Sequence, residues 1–436
     1  MIRLRIFLHI AMIFCVVFCA HAEYYSATML DTLVERGVLS QQEADEAQKL
    51  STVSVVHENP PEKLSLLAFW HVRYMRIFQD YSDGDSFDKG GFAFRRLVPV
   101  AVAKFSEDTQ LMITILMPSN HLLNTVRFVQ EVDLGPLQGT FWVAQEAVFF
   151  CMEESESGMR IMTPDRSIIN MYFGGGDDGY WGGKTTSFSS NVAFSGYHTG
   201  LYWFGRCPKN ESLIYRIQVV NSTHNKVSFD GNNGIACFAT IGVDKQTPDE
   251  HLRSGINVGY SSRVVAATSQ ASLPARTVDY GDCLGVNPYF WWKNGPFTVQ
   301  SELVATHVKY GRTLNDNIPL YTLKSPDANP WGFYALLAYK FNINPLGEFE
   351  PLIRYSYLDT DRRGVCESGV LYEALNKDGL YNKVQSIFGG FNWYLLGQSL
   401  KYQLGIEYAM FRDSPSGATS KKSDVLLFTL QMQLVL

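Results

Sequence analysis

Residues 424–436 read DVLLFTLQMQLVL, and their side chains alternate between two faces. One face is wholly apolar, with Phe428, Leu430, Met432, Leu434 and Leu436. The other face turns from apolar to polar, through Val425, Leu427, Thr429, Gln431 and Gln433. Successive side chains of a strand point to opposite faces. A strand with lipid on one face and a wet lumen on the other needs this pattern. The stretch therefore predicts a membrane-spanning strand of a β-barrel.

The same period of two recurs through most of the chain. Residues 385–395 and 399–411 are joined by a short turn at Gly397, and residues 331–341 and 348–358 by the turn at Pro345. Further segments with strand character are 64–79, 92–104, 109–116, 138–148, 196–205, 212–220, 235–243, 251–260 and 297–310. Such hairpin spacing predicts an all-β fold. We expect a transmembrane antiparallel β-barrel of about sixteen strands over residues 64–436.

The connections between the predicted strands differ in length in a regular way. Those at Gly397 and Pro345 are tight, whereas residues 312–329 and 362–382 form long polar connections. Short turns at one end and long loops at the other are typical of outer-membrane barrels. Aromatic residues gather at strand ends, as in Tyr-Phe-Trp-Trp at 289–292, which fits interfacial girdles. Ordinary aromatic packing in a secreted β-protein is the alternative.

The first residues have the features of a secretory signal. Arg3 and Arg5 precede an apolar run from 6 to 19, and Ala20-His21-Ala22 offers small residues for cleavage. Residues 1–22 are therefore predicted to be a signal peptide, with Glu23 as the mature start and the cell outer membrane as destination. Residues 23–63 are predicted to be a short N-terminal periplasmic helical lead-in, because Ser-Gln-Gln-Glu at 40–43 resembles a capping box.

Composition excludes several other functions. The chain is 46% hydrophobic, but no later stretch is long and apolar enough for a membrane helix. The net charge of −6 offers no basic patch for nucleic acid. Five cysteines remain after the signal, without a CxxC pair, which argues against zinc or a disulfide framework. HExxH, GxSxG and nucleotide-loop motifs are also missing, so we predict no catalytic residue, no metal and no cofactor.

Charged side chains within the predicted strands are candidates for the lumen face. A charge in a barrel wall is tolerated where water or a partner satisfies it. The candidates for lining a pore are Arg73, Arg95, Lys340, Arg354, Lys401 and Glu407, and Arg76 and Glu302 share their pattern. Arg354 alternates with the tyrosines at 355 and 357, which would face lipid. The alternative is that these side chains solvate the lumen or contact loops without setting selectivity.

Residues 153–166 form a stretch too long and too charged to span a membrane, and residues 149–195 are therefore expected to form a long loop. It contains the glycine-rich segment at 174–183 and both acidic and basic residues. The constriction-loop candidates are Glu153, Glu154, Arg160, Arg166, Asp177 and Asp178. We expect this loop to fold into the pore, where its charges would set a transverse field. A surface loop is the alternative.

Several segments, in the order of the chain, resemble the phosphate-selective porin O and P family. They are LVERGVLSQQEA at 33–44, FRRL at 94–97, EESESG at 153–158 with RIMTPDRS at 160–167, EPLIRYSYLDT at 350–360 and FNWYL at 391–395. The resemblance implies a sixteen-stranded barrel, commonly a homotrimer, with loops that fold inward. It also implies insertion among outer-membrane lipids by the barrel-assembly machinery.

Three features depart from the family pattern. The chain ends in Leu436 rather than an aromatic residue, residues 143–151 carry Glu146 and no lysine, and the net charge is acidic. Anion selectivity needs a basic lumen. We therefore predict a weakly selective porin for passive diffusion of small hydrophilic solutes or ions, with anions such as phosphate among them. An outer-membrane barrel hydrolase and a non-conducting surface or adhesive barrel are the alternatives. Bulky apolar residues filling the lumen would favour the latter.

Overall fold

The computed structural model describes residues 61–117, 123–134, 137–174, 192, 194–222, 234–262, 265–268, 276–310, 327–371, 374, 381–414 and 421–435. The predicted signal peptide lies outside these residues, as does the predicted lead-in up to residue 60. The first strand already begins at Lys63. No helix in the described part of the chain is long and apolar enough to cross a membrane.

The described residues form nineteen strands of one sheet. The strands are β1 (Lys63–Tyr81), β2 (Ser86–Lys104), β3 (Thr109–Ile115), β4 (Leu123–Leu134), β5 (Leu137–Ala147), β6 (Tyr197–Cys207), β7 (Asn210–Asn221), β8 (Ile235–Gln246), β9 (Glu250–Ser261), β10 (Val265–Thr268), β11 (Arg276–Asn294), β12 (Phe297–Tyr310), β13 (Asp327–Ala328), β14 (Trp331–Tyr339), β15 (Phe341–Ile343), β16 (Gly347–Asp359), β17 (Lys383–Tyr394), β18 (Leu400–Arg412) and β19 (Ser423–Val435).

The sheet closes on itself as a barrel. The last strand, β19, pairs antiparallel with β1, from Phe69 opposite Val435 to Tyr81 opposite Ser423. The short strands β10, β13 and β15 pair with the ends of β11, β12 and β16, and the other sixteen strands form the wall. Closure pairs the backbone groups that lipid cannot hydrogen-bond. The predicted sixteen-stranded antiparallel barrel is confirmed.

Side chains alternate between lumen and lipid along each strand. On β18, Lys401, Gln403 and Glu407 point inward and are buried, whereas Ile406 and Tyr408 point outward and are exposed. The period of two seen in the sequence therefore separates a polar interior from an apolar outer surface, as a barrel in lipid requires.

The two ends of the barrel differ as the sequence predicts. Tight turns follow β6, β8, β11, β15 and β17, and three of them use glycines in the left-handed region: Gly295 (φ 52°), Gly347 (φ 93°) and Gly397 (φ 57°). The connections after β5 and β16 are long and contain helical turns. Lys63 and Val435, which begin β1 and end β19, lie at the short-turn end.

Candidate functional site

The connection between β5 and β6 runs through the inside of the barrel. We call residues 148–174 the inner loop. It contains the short helices α1 (Met152–Ser155) and α2 (Ile168–Gly174), both largely buried. Its hydrogen bonds reach inward-facing side chains of strands all around the wall, from Arg73 on β1 to Gln218 on β7 and Gln403 on β18. The inner loop is therefore folded into the lumen of the barrel and is not a surface loop.

Glu302 on β12 holds the start of α1. Its two carboxylate oxygens accept the backbone N–H groups of Met152 (2.7 Å) and Glu153 (2.8 Å). The hydroxyl of Tyr334 and the amide of Asn287 donate to the same carboxylate, at 3.0 and 3.2 Å. A carboxylate at a helix start satisfies N–H groups that have no partner within the helix. Glu302 thereby fastens the inner loop to the wall.

Asp165 fastens the inner loop to the opposite part of the wall. Its carboxylate accepts from Arg73 on β1 at 2.9 and 3.0 Å and from Arg95 on β2 at 3.1 and 3.2 Å. Burial alone would raise the pKa of Asp165, but the two guanidinium groups outweigh it and lower the pKa to about 2. Asp165 therefore stays ionised at neutral pH.

Arg354 and Lys401 hold the middle of the inner loop. Arg354 on β16 donates to the hydroxyl of Thr163 (2.9 Å) and the carbonyl of Asp165 (3.1 Å), and it pairs with Glu407 at 3.3 Å. Lys401 on β18 donates to the carbonyls of Met159 (2.8 Å) and Ile161 (3.2 Å). These side chains face the lumen, but the loop covers them.

An apolar cluster fills one side of the lumen. Phe150 and Phe194, from the two ends of the β5–β6 connection, stack edge to face against each other. They press on Gly285 of β11, where a Cβ would lie 2.5 Å from the Phe150 ring. Residues 360–371, between β16 and β17, add Val365 and Leu371 to the same cluster. This part of the lumen is packed like a protein core.

We predict that Gly285→Ala weakens the packing of the inner loop against the barrel wall. The added methyl group would collide with Phe150 and Phe194, and overpacking of this kind costs about 1–3 kcal/mol. The folded barrel should therefore melt at a lower temperature in a heat-shift gel. Gly389→Ala is the matched control, because its Cβ would meet nothing within 4 Å. Equal melting of both variants would contradict the tight contact.

The other side of the lumen holds a cavity of about 850 Å³. Its lining runs from Ala147 and Tyr197, at the long-loop ends of β5 and β6, to Lys245 and Gln246, at the short-turn end of β8. The inner loop forms one wall of the cavity through residues 154–160, and β2 to β9 supply most of the rest. The cavity therefore follows the barrel wall from one end towards the other.

The cavity lining carries charges of both signs. Its basic side chains are Arg96, Arg127, Arg160, Arg166, Arg206, Lys245 and Arg253, and its acidic ones are Glu146, Glu154, Glu156, Glu211 and Asp244. Ion pairs join Arg127 to Glu146, Arg166 to Glu154, Arg206 to Asp244 and Arg253 to Glu156. Arg160 is exposed and forms no ion pair with a described residue, so its charge faces the cavity.

The structure brings most of the predicted site residues together around the inner loop. Arg73, Arg95, Arg354, Lys401 and Glu407 lie inward and buried behind the loop. Lys340 lies near the short-turn end, pairs with Glu348 at 3.0 Å and sits over the Tyr394 ring. In the loop, Glu153, Glu154 and Arg166 are buried and Arg160 is exposed. Asp177 and Asp178 lie outside the described residues.

One expectation for the lumen is wrong. Arg76 points outward and pairs with Asp88 at 2.8 Å on the outer face. On β1 the inward positions are Arg73, Met75 and Ile77, so Arg76 falls on the other side of the alternation. The sequence does not indicate Asp165 as a site residue, because it lies 92 and 70 residues from the two arginines that it joins.

Within the described residues, no group of three or more His, Cys, Asp or Glu side chains could hold a metal ion. The five cysteines after residue 22 all carry free thiols.

Comparison with known proteins gives one family. Residues 242–436 match the sequence model of "Phosphate-selective porin O and P". A search of curated proteins finds no match. Among solved structures, the anion-selective porin from Comamonas acidovorans is similar (10% identity, TM-score 0.49, covering 85% of this chain and 100% of that one).

Two further solved structures are similar to the chain. They are the outer membrane channel DcaP of Acinetobacter baumannii (12%, TM-score 0.48, 86% of this chain and 97% of that one) and the trimer form of OmpT of Vibrio cholerae (9%, TM-score 0.46, 86% and 100%). These sequence identities and TM-scores are too low to assign a function to this chain. The family match confirms the resemblance to the phosphate-selective porin O and P family over residues 242–436, and it supports an outer-membrane channel.

Proposed function

We propose that the chain is a narrow, weakly selective porin, and that solutes cross the barrel through the cavity beside β2 to β9. The observation that carries this is the position of the inner loop. Its anchors to β1, β12, β16 and β18 hold it across the lumen, and the charged cavity lies between it and β2 to β9. Solutes would cross by passive diffusion. The width of the pore and the charges that line it would select small hydrophilic solutes.

The charge of the cavity lining differs from that of the whole chain. The chain is net acidic, but seven of the cavity-lining side chains are Arg or Lys and five are Asp or Glu. A permeating ion responds most to charges within about 8 Å at physiological salt. This local balance supports a weak preference for anions, with phosphate-sized anions among the permeating solutes.

We predict that Arg160→Glu moves ion preference towards cations. Arg160 is at the cavity edge of the inner loop, and Lys401 fixes its backbone by binding the carbonyls on both sides of it. Reversal potential in a salt gradient across a planar bilayer should shift towards that of a cation pore. Arg362→Glu changes net charge equally at an exposed position away from the cavity, and should leave the potential unchanged. Equal shifts in both variants would exclude a local role for Arg160.

A non-conducting barrel is the second candidate, and the apolar cluster favours it. Phe150, Phe194, Ile169 and Leu371 fill part of the lumen with bulky side chains. Single-channel recording of the purified barrel distinguishes the two candidates. Discrete conductance steps support the porin, and their absence from a correctly folded barrel supports a plugged one.

The proposals on export and assembly rest on the sequence. We propose that residues 1–22 are cleaved before Glu23, and that the predicted segment 23–63 forms the periplasmic lead-in up to the start of β1. We also propose that the barrel-assembly machinery inserts the chain among outer-membrane lipids. We also propose a homotrimer, as the resemblance to the family implies. Mass spectrometry of the mature N-terminus and of the intact detergent-extracted complex tests the cleavage site and the copy number separately.

A further inference from the structure

One part of the cavity lining is apolar. Its side chains are Leu67 on β1, Val100 and Val102 on β2 and Met112 on β3, and all four are partly exposed. They are neighbours on the wall, because Leu67 lies opposite Val100 and Val102 lies opposite Met112. We call these four side chains the apolar strip. The lumen face of an outer-membrane barrel is usually polar, so the apolar strip is a departure from that pattern.

The inner loop extends the apolar strip and ends it at a positive charge. Met159 packs against the apolar side chains beside the strip, among them Val98 and Val100. The next residue, Arg160, is exposed to the cavity. Lys401 fixes this turn of the inner loop by donating to the carbonyls on both sides of Arg160. The cavity therefore presents an apolar surface with a cation at its edge.

Other arginines of the cavity are already neutralised by carboxylates. Arg127, which lies opposite Met112 in the sheet, pairs with Glu146 at 3.7 Å. Arg253 on β9 pairs with Glu156 of the inner loop. Arg160 forms no such pair within the described part of the chain. The charge that the cavity leaves for a solute next to the apolar strip is therefore positive.

This combination favours one chemical class of solute. Removing apolar surface from water is favourable, and each CH₂ group that is fully buried strengthens binding by up to about fourfold. A small inorganic ion covers none of the apolar strip. An apolar chain covers it, and a carboxylate at the end of that chain can bind a guanidinium group with charge-assisted hydrogen bonds.

We propose that the cavity binds organic monocarboxylates of about the size of hexanoate, with the apolar chain on the apolar strip and the carboxylate at Arg160. The proposal rests on the proposed pore, because the solute would occupy the same cavity. It names a class of solute that the balance of lining charges alone does not select. Simple inorganic ions would pass the same cavity without being held on the apolar strip.

Block of the ion current in planar bilayers tests this proposal with a homologous series of acetate, butyrate and hexanoate. The concentration that halves the current should fall with each added CH₂ group, by up to about fourfold. Hexylammonium has an apolar chain of the same length and the opposite charge. It should block more weakly than hexanoate, because Arg160 repels it.

Two matched double variants locate the apolar contact. Val100→Thr with Val102→Thr keeps the side-chain shape and places hydroxyl groups on the apolar strip, so hexanoate should block several-fold more weakly while acetate is unaffected. Val143→Thr with Val219→Thr makes the same change at outward positions of β5 and β7, where 49% and 44% of the side chains are exposed. Block by hexanoate should be unchanged in this control.

Photolabelling gives a readout that does not depend on conductance. Hexanoate that carries a diazirine at its chain end should label peptides containing residues 98–102 or Met112 in the full chain, in its native outer membrane. Unlabelled hexanoate should displace the label, and acetate should not.

Four results would overturn the proposal. They are block that does not depend on chain length, equal block by hexylammonium, equal effects of the two double variants, and a label that hexanoate does not displace. A silent barrel would contradict the proposed pore, and the displaceable label would still decide whether the apolar strip binds the carboxylate. A conducting barrel without dependence on chain length would contradict only the carboxylate site.

Discussion

Asp165→Asn is expected to release the inner loop from β1 and β2 and to raise the single-channel conductance several-fold. Asn cannot neutralise Arg73 and Arg95, which are buried behind the loop and share the Asp165 carboxylate. Breaking a buried ion pair by removing one partner costs about 3–5 kcal/mol. Moving the loop out of the barrel lets water reach the guanidinium groups and widens the path. Recording in planar bilayers measures the change.

Asp88→Asn is the control for Asp165→Asn. It makes the same chemical change in an exposed ion pair, with Arg76, where the expected effect on conductance is none. The pKa of Asp165 gives a second check. Since the folded pKa of about 2 lies below the ordinary 3.8, this stabilisation is complete above pH 3.8 and is lost as pH falls through 2. Wild-type conductance that changes between pH 7 and 5 would point to a different group.

Glu302→Ala is expected to detach the start of α1 and to lower the melting temperature of the folded barrel. The change leaves the N–H groups of Met152 and Glu153 and the hydroxyl of Tyr334 without their acceptor. Each buried donor left unsatisfied costs about 1–3 kcal/mol. The inner loop should therefore become accessible to a protease added to detergent-solubilised barrel, with cleavage mapped by mass spectrometry.

Glu350→Ala is the matched control for Glu302→Ala. Glu350 is an equally buried inward glutamate that accepts from Asn392 and Tyr394, and it forms no hydrogen bond with the inner loop. Its removal should destabilise the wall near β16 and β17 without exposing residues 148–174 to protease. Cleavage of the loop in both variants would mean that general loosening, and not the Glu302 anchor, explains the result.

The wall of the barrel could be predicted, because the alternation of apolar and polar residues and the short turns can be read within short stretches of sequence. Residues 424–436 alternate in sequence, and the same residues form β19 with the predicted inward set. Gly397 and Pro345 mark turns whose lengths fix the antiparallel neighbours. Arg354 and Lys401 were expected on the lumen side because their neighbours in sequence are apolar at every second position.

The lumen could be predicted only in part, because its contacts join residues distant in the chain. Asp165 meets Arg73 and Arg95 across a sequence separation of 92 and 70 residues. The ring of Phe150 packs against Gly285, and the sequence of β11 does not indicate this contact. Net charge was also a poor guide to the cavity, since the acidic residues that outnumber the basic ones over the whole chain do not dominate its lining.

The measurement that tests the central claim most directly is single-channel conductance of the wild type beside a variant in which residues 152–174 are replaced by a short Gly-Ser linker. For the wild type we expect small conductance steps with a weak anion preference. We expect several-fold larger steps for the variant, because the inner loop narrows the lumen. Equal conductance in the two barrels, or a silent wild type beside a conducting variant, would contradict the proposed path beside the inner loop.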